Sequence, residues 1–234
     1  MKFSDYIIDF IYPPRCCICG ELIGYASKMT MCEKCRDSIS YIDKDIDYSA
    51  TLKNKFNIEI YFDCGEAVFR YSDVKSAIER FKYFGERNIG KSFAYLMYEH
   101  WKNNDKLKYA DYLVSVPLNK ARLKERGYNQ AEYLANEFSK LTRIKHVHGA
   151  IKRIRDTKPQ NLLDAKERVE NVKNAFAVVN ESIKGKTVLI IDDIFTTGST
   201  INECAAALKK QGAAKVMFLT FSAAGNNLGS DKNV

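Results

Sequence analysis

A chain of 234 residues, 46% hydrophobic and 28% charged, is long enough to bury a substantial core and too evenly composed for wholesale disorder or a collagen-like repeat. No stretch reaches the roughly 18 uncharged apolar residues of a membrane span, so no membrane insertion is expected. Thirty-seven Lys and Arg against 29 Asp and Glu leave a net charge of +8, which favours anionic partners such as phosphates, nucleotides or nucleic acid.

The first residues read as a short helix. Phe3, Ile7, Phe10 and Ile11 share one helical face, Ser4 can cap it, and Pro13 and Pro14 stop it. Asp5 and Asp9 interrupt the apolar run, and no basic segment precedes a long apolar one, so the run is not read as a signal peptide. The expected compartment is the reducing cytoplasm, where seven cysteines are not read as disulfides. Four of them form two knuckles, Cys16-x2-Cys19 and Cys32-x2-Cys35, with twelve residues between. Each knuckle is a turn that aims two thiolates at one point, and four thiolates close a tetrahedral shell around a structural zinc. Cys17 competes with Cys16 for the first ligand place. The module, residues 1–40, is too small for an apolar core of its own, so metal binding would supply its folding energy.

Residues 37–55 are polar and lysine-rich and read as a connector. Asn57 to Tyr71 is extended in pattern, with Cys64-Gly65-Glu66 as a turn between two strands. A long helical pattern follows, broken near Gly85 to Gly90, and its second half (Phe93, Leu96, Met97, His100, Trp101) is a core face. Tyr112 to Val116 is a short buried strand, Tyr128 to Leu141 a helix, and His146 to Arg153 a further strand. Residues 154–172 look like a charged loop. Ala175 to Val179 and Val188 to Ile191 are strands, Ile201 to Gln211 a helix, and Val216 to Phe221 a last strand. From residue 111 onward the alternation of strands and helices argues an α/β fold, a parallel sheet with helices on both faces; the domain is taken as residues 41–222, followed by a flexible tail at 223–234.

The segment from Val188 to Thr200 carries the chemistry. Four consecutive large apolar residues, Val188 to Ile191, fit a central strand buried on both faces. Asp192 and Asp193 stand at its C-terminal end, where open α/β sheets bind ligands. The loop Thr196-Thr197-Gly198-Ser199-Thr200 then opens a helix, so its backbone N–H groups, its hydroxyls and the helix dipole favour a phosphate monoester. Two carboxylates beside it accept from vicinal hydroxyls. Phosphate at one end and a cis-diol at the other describe a ribose 5-phosphate.

This segment resembles the phosphoribosyl pyrophosphate (PRPP) motif of type I phosphoribosyltransferases. The chain over roughly residues 3–222 resembles the ComF family of competence-associated proteins, which join a four-cysteine zinc module to such a domain. The matching pieces, in order, are Pro13 with the four knuckle cysteines, Lys82-Tyr83-x-Gly85, Val116-Pro117-Leu118, Arg126-Gly127-Tyr128-Asn129-Gln130, Arg153, Thr157, Gln160, Arg168-x-x-Asn171, Phe176 and the Asp192–Thr200 loop.

The resemblance implies that Thr196 to Thr200 hold the 5-phosphate and that Asp192 and Asp193 hold the ribose hydroxyls. Asn119 and Arg122 would belong to the pyrophosphate loop, with Lys82 and Arg126 also on PRPP and Mg²⁺ on the pyrophosphate. Residues 154–170 would be a closing loop. In reaction terms Asp192, Asp193 and Arg122 would act on the displacement of pyrophosphate at the anomeric carbon, as in a pentosyl transferase. The resemblance also implies a role in DNA uptake or processing during natural competence. Two departures stand out: Thr196 occupies a place where purine-salvage members often carry an aspartate, and few residues follow the last strand to build a hood over the base.

Two other classes compete. One is a non-catalytic module on the same fold that binds single-stranded DNA or a competence helicase-like or DNA-processing protein. Its groove would be lined by the basic clusters at Lys120, Arg122, Lys124 and Arg126 and at Lys152, Arg153, Arg155 and Lys158, with Tyr83, Phe84 and Tyr128 as stacking platforms. The other is a P-loop nucleotide triphosphatase, because Gly85-Glu-Arg-Asn-Ile-Gly90-Lys91-Ser92 spells that motif. A P-loop needs a buried strand directly before its first glycine, and Ile78 to Phe84 is charged and helical in pattern.

Overall fold

The structure, a computed structural model, describes residues 13–24, 27, 29–42, 46–155 and 163–224. The expected N-terminal helix, Thr157, Lys158, Gln160 and most of the expected tail lie outside them.

Five parallel strands form the central sheet in the order β1-β7-β6-β2-β3. They are β1 (Cys64–Arg70), β2 (Tyr112–Ser115), β3 (Lys145–His146), β6 (Thr187–Phe195) and β7 (Lys215–Ala223). A separate antiparallel ribbon pairs β4 (Ile151–Arg153) with β5 (Phe176–Val178). The helices are α1 (Glu33–Ser38), α2 (Tyr48–Phe56), α3 (Tyr71–Tyr83), α4 (Arg87–Lys102), α5 (Lys120–Arg126), α6 (Gln130–Thr142), α7 (Ala165–Val172) and α8 (Ser199–Lys210).

The sheet is buried on both faces because successive side chains of a strand point to opposite sides. On β6, Val188 and Ile190 join Tyr48 and Leu52 of α2 and Ile201, Cys204 and Leu208 of α8. Leu189 and Ile191 join the other core, with Phe81 of α3, Phe93 and Met97 of α4, and Leu134 and Phe138 of α6. The phosphoribosyltransferase-type layering expected from the sequence is therefore present, with one addition: β1 comes from before residue 111 and forms an edge of the same sheet.

Several local expectations are corrected. Cys64-Gly65-Glu66 is not a turn but the start of β1. A Cβ on Gly65 would lie 2.1 Å from Cδ1 of Phe218, so the glycine serves close approach between β1 and β7 rather than a reversal. The supposed connector contains α2, which Asp47 caps by accepting from the N–H groups of Ser49 and Ala50, and which packs Tyr48 against Phe195 and Phe218. The break in the long helical pattern falls at Phe84 to Glu86, and Gly90 lies inside α4. The strand expected over His146 to Arg153 is two, β3 and β4, split by a turn at Gly149. Phe176 to Val178 pairs with β4 outside the parallel sheet. Part of the expected 154–172 loop is α7, started by a reciprocal capping box between Asp164 and Glu167.

The segment before α2 runs along the outer side of β1. The N–H of Ile42 donates to the carbonyl of Val68 at 2.9 Å, and Tyr41 bridges Phe69 antiparallel. At the opposite end of the sheet, β3 pairs through only two residues.

Candidate functional site

The four knuckle cysteines converge. The Sγ atoms of Cys16, Cys19, Cys32 and Cys35 all lie within 4.8 Å of one another, with Cys19 and Cys32 at 3.9 Å. A tetrahedral zinc with bonds of about 2.3 Å separates its sulfurs by about 3.8 Å, so the donor set fits that ion in number, chemistry and size. Burial opposes ionisation of Cys16, but the backbone N–H groups of Cys19, Cys32 and Ile18 outweigh it and bring the thiol down to about 6. That favours the thiolate a metal needs. Cys17 lies outside the tetrad. It is buried, desolvation pushes its thiol up to about 12, and the first ligand place therefore belongs to Cys16.

The knuckles do not stand apart from the α/β core. Cys16, Cys17, Met31 and Cys35 share an apolar cluster with α3, α4 and β7. Arg80 of α3 donates from Nη1 to the carbonyl of Cys16 at 3.1 Å, while its Nε and Nη2 hold Glu86 at 2.8 and 2.6 Å. Ser92 of α4 accepts from both the N–H and the hydroxyl of Thr30, at 2.8 and 3.0 Å.

A cleft of about 500 Å³ opens at the C-terminal end of the sheet. Its floor is the end of β6 and the loop into α8. β6 runs through to Phe195, so Asp192 and Asp193 sit within its last turns of pleat rather than beyond it. Gly198 has φ +71°, and a Cβ there would meet Phe195 at 2.5 Å and Leu52 at 2.9 Å, so only glycine fits the turn that α2 supports from below. Thr196, Gly198 and Thr200 line the cleft. The hydroxyls of Thr197 and Ser199 instead face each other at 2.7 Å in the interior, and Ser199 also reaches the carbonyl of Arg168 at 3.5 Å. These two can offer a ligand their backbone N–H groups, not their side chains.

The walls bring the remaining sequence candidates together. Asn119 caps α5 by accepting from the N–H of Ala121, and Asn119, Arg122 and Arg126 line one side. The residues expected in basic loops, Lys120, Arg122, Lys124 and Arg126, form a helix that stops at Gly127. Lys82 enters from α3 and pairs with Asp193, Nζ to Oδ2 at 2.6 Å, with the two side chains 15% and 12% exposed. Asp192 is partly open to the cleft, yet burial of its carboxylate, then the charge of Asp193, raises it well above the usual carboxylate range. The N–H of Asp193, donating at 2.9 Å, and Lys82 only partly offset this. Arg153 and Arg168 also border the cleft. Arg155, expected among the nucleic-acid contacts, donates instead to the carbonyls of Asn171 and Lys173, at 2.9 and 2.7 Å. Sequence reasoning missed Tyr71 and Glu79 of α3, which line the cleft with Lys82 and Tyr83. Their spacing of 8, 3 and 1 places them on one helical face, and that was the available signal.

The P-loop spelling is explained by other means. Helix α3, not a strand, precedes Gly85, and Gly90, Lys91 and Ser92 are inside α4, with Ser92 buried against Thr30.

A phosphoribosyl transferase domain model matches residues 125–233, and a double zinc ribbon domain model matches residues 7–46. Competence protein F of Haemophilus influenzae is 36% identical over 144 residues, 59% of this chain and 63% of that protein. The DNA utilization protein YhgH of Escherichia coli K12 is 38% identical over 117 residues, half of each chain, and the competence protein ComFC of Bacillus subtilis 30% over 154 residues, 63% of this chain and 59% of that one. The chain is similar in sequence to these competence and DNA utilization proteins. The matches span about half to two thirds of the length of these ComF relatives. Among solved structures it is similar to a glutamine PRPP amidotransferase from B. subtilis, at 17% identity and TM-score 0.43, over 67% of this chain and 34% of that one. No described helix is long and apolar enough to cross a membrane.

Two outcomes follow for this chain. Protein purified without chelator is expected to carry one zinc per chain. Cys32→Ser should lose it and speed amide exchange over residues 13–42, while β6 and β7 stay protected. Elemental analysis finding no zinc in the unaltered protein would contradict this. The second concerns Asp192, whose folded-state pKa lies above its unfolded one. Its ionisation therefore costs stability in full above the folded value, and the cost vanishes below the ordinary Asp value of about 3.9. Asp192→Asn is expected to be the more stable protein at neutral pH, with the gap closing as pH falls. Urea melts across that range that show a constant gap, or none, would refute the assignment.

Proposed function

We propose that the cleft binds PRPP, or a closely related ribose 5-phosphate, and that the protein does so in the cytoplasm in support of DNA uptake or processing. The observation that carries this reading is the juxtaposition in one cleft of the Thr196–Thr200 turn at the start of α8, the Asp192 and Asp193 carboxylates, and the cations of α3 and α5.

In this reading the N–H groups of residues 196–200, with the hydroxyls of Thr196 and Thr200, hold the 5-phosphate at the helix N-terminus. Asp192 and Asp193 accept from the ribose hydroxyls, which displaces Lys82 toward the phosphates. Asn119, Arg122 and Arg126 orient the 1-pyrophosphate and stabilise the charge that grows on it as it leaves. The paired carboxylates beside a pyrophosphate cradle suit Mg²⁺, which keeps hard oxygen ligands and much of its water. When bound, the ion would neutralise leaving-group charge. The names of the relatives, a competence protein and a DNA utilization protein, support the DNA-related setting.

Titration calorimetry with PRPP and Mg²⁺ tests the site. Asp192→Asn combined with Asp193→Asn is expected to weaken binding at least tenfold, because each lost charge-assisted hydrogen bond is worth about 1.5–3 kcal/mol. Unchanged affinity in a folded double variant would remove the assignment.

A second role is supported by α5, which carries Lys120, Arg122, Lys124 and Arg126 in seven residues and has no buried side chain. Such a surface suits the phosphates of single-stranded DNA. Lys124→Glu with Lys120→Glu should lower oligonucleotide affinity and flatten its salt dependence by about 0.7 per lost phosphate contact. A loss no larger than that from Lys53→Glu with Lys55→Glu on α2 would reduce the effect to general charge.

A further inference from the structure

Away from the cleft and the knuckles, two histidines meet at the far edge of the sheet, where β3 packs against α6. β3 ends at His146, and Val147 continues the extended run, its N–H donating to the carbonyl of Leu113 at 2.9 Å. His148 is two residues on from His146, so both imidazoles turn to the same side. Their ring centroids are 4.2 Å apart.

Each imidazole is held at Nδ1 from α6. Asn136 Oδ1 lies 2.8 Å from Nδ1 of His146, and Glu132 Oε1 lies 3.4 Å from Nδ1 of His148. Glu132 and Asn136 are four residues apart and stand one above the other on the helix. An amide oxygen and an ionised carboxylate only accept, so both Nδ1 atoms carry the proton and both Nε2 atoms keep a lone pair. Proteins orient metal-bound histidines in this way: an oxygen acceptor behind the ring fixes the tautomer and makes the other nitrogen the better ligand. The Nε2 of His146 has no hydrogen-bond partner, although the residue is only 7% exposed. A buried polar atom left in that state costs stability that a bound ion would recover. Burial, and then His148, pull the His146 imidazole down to about 4, so it stays in its neutral, ligating form near pH 7.

We propose that His146 and His148 form a second metal site, in which the two Nε2 atoms chelate one divalent ion of borderline softness such as Zn²⁺ or Co²⁺. Imidazole nitrogens suit these ions and not Mg²⁺ or Ca²⁺, which take oxygen. At the usual zinc–nitrogen length of about 2.0–2.1 Å the two nitrogens of a tetrahedral site stand about 3.3 Å apart. His148 supplies the adjustment: its side chain is 60% exposed and its contact with α6 is the looser one, whereas His146 is fixed. Among the described residues no third His, Cys, Asp or Glu joins the pair within ligand range. Water fills the remaining positions, so the site is open, weaker than the four-thiolate one and able to exchange its ion. β3 pairs with β2 through only two residues, and the turn at Gly149 leads into β4, whose Arg153 borders the cleft. An ion held from both sides of Val147 pins that edge and that turn.

The test uses the full chain, free of any histidine tag and with its knuckle zinc in place. Zn²⁺ is titrated by calorimetry, and Co²⁺ by visible absorption and by paramagnetic broadening of backbone amides. One further ion per chain is expected to bind in the micromolar range. Co²⁺ should give only the weak bands of a nitrogen and oxygen shell, with broadening centred on residues 144–150 and on Glu132 to Asn136. His148→Ala, at an exposed position, should weaken this ion at least tenfold and leave the knuckle zinc in place. Asn136→Ala should weaken it about tenfold although both imidazoles remain. Amide exchange at His146 and Val147 should slow on adding Zn²⁺, and not in His148→Ala. Failure to bind any ion beyond the knuckle zinc at millimolar Zn²⁺ would overturn the site. So would full affinity in a folded His148→Ala variant, or broadening centred on an acidic patch elsewhere. A strong thiolate charge-transfer band on adding Co²⁺ would place the ion at the knuckles and overturn the site as well.

Discussion

The contact between Lys82 Nζ and Asp193 Oδ2, 2.6 Å long, fixes the last turn of α3 against the central strand, and much of the molecule is arranged around keeping that turn in place. Two residues before Lys82, Arg80 reaches back to the carbonyl of Cys16. One residue before it, the carbonyl of Phe81 accepts from the Tyr128 hydroxyl, which ties α3 to the start of α6. One residue after it, Tyr83 meets α5. Four consecutive residues of one helical turn are thus bound to the knuckles, α6, β6 and α5. A largely buried ion pair adds little net stability by itself, since desolvating both partners offsets most of the attraction. Its effect here is positional: it draws a lysine and a neighbouring tyrosine to the rim of a cleft whose floor is otherwise acidic.

The four-cysteine knuckles contribute to this arrangement through backbone and apolar contact rather than through chemistry at the cleft. A segment of this size buries too little surface to fold alone, and a metal compensates for the missing core. Here the compensation is shared, because Cys16, Met31 and Ile39 continue the apolar layer made by α3 and α4. The carbonyl that Arg80 holds belongs to a metal ligand, so geometry at the sulfur cluster and geometry at the cleft are connected through a single residue and one turn of helix.

The elements legible in the sequence were those whose pattern follows from burial or ligand geometry. β6 announces itself because a strand covered on both faces needs an unbroken apolar run, and Val188 to Ile191 is one. The sulfur cluster is legible because two-residue spacing within a knuckle is imposed by the metal. The turn from Thr196 to Thr200 is legible because Gly198 stands where no side chain fits. α2 and α5 were hidden for the opposite reason. α2 buries only Tyr48 and Leu52, and α5 buries nothing, so neither leaves an apolar stripe. They are set instead by their ends: Asp47 and Asn119 as N-caps, Asn57 and Gly127 in the left-handed region as stops. Gly65 was misread because a glycine required for close strand packing and a glycine required for a turn look alike until the partner, Phe218, is known. The α3 wall was half legible: Lys82 and Tyr83 stood out by resemblance, whereas Tyr71 and Glu79 gained meaning only once the helix was seen to face the cleft.

The path of the chain between the knuckles and α2 has a further effect, on what the protein does not do. An open parallel sheet ends in two strands whose outer N–H and C=O groups can recruit another strand, and a long, flat edge is a template for uncontrolled addition. Here one edge, β3, is two residues long. The other, β1, is seven residues long and carries the buried run Glu66 to Phe69, which would be hazardous if bare. Tyr41 and Ile42 lie along that run and take up the Val68 carbonyl, and the ring of Tyr41 rests on Phe69 at 4.9 Å. A segment that reads as a mere spacer therefore acts as a guard strip. It leaves the sheet closed to growth on the side where its sequence is most adhesive.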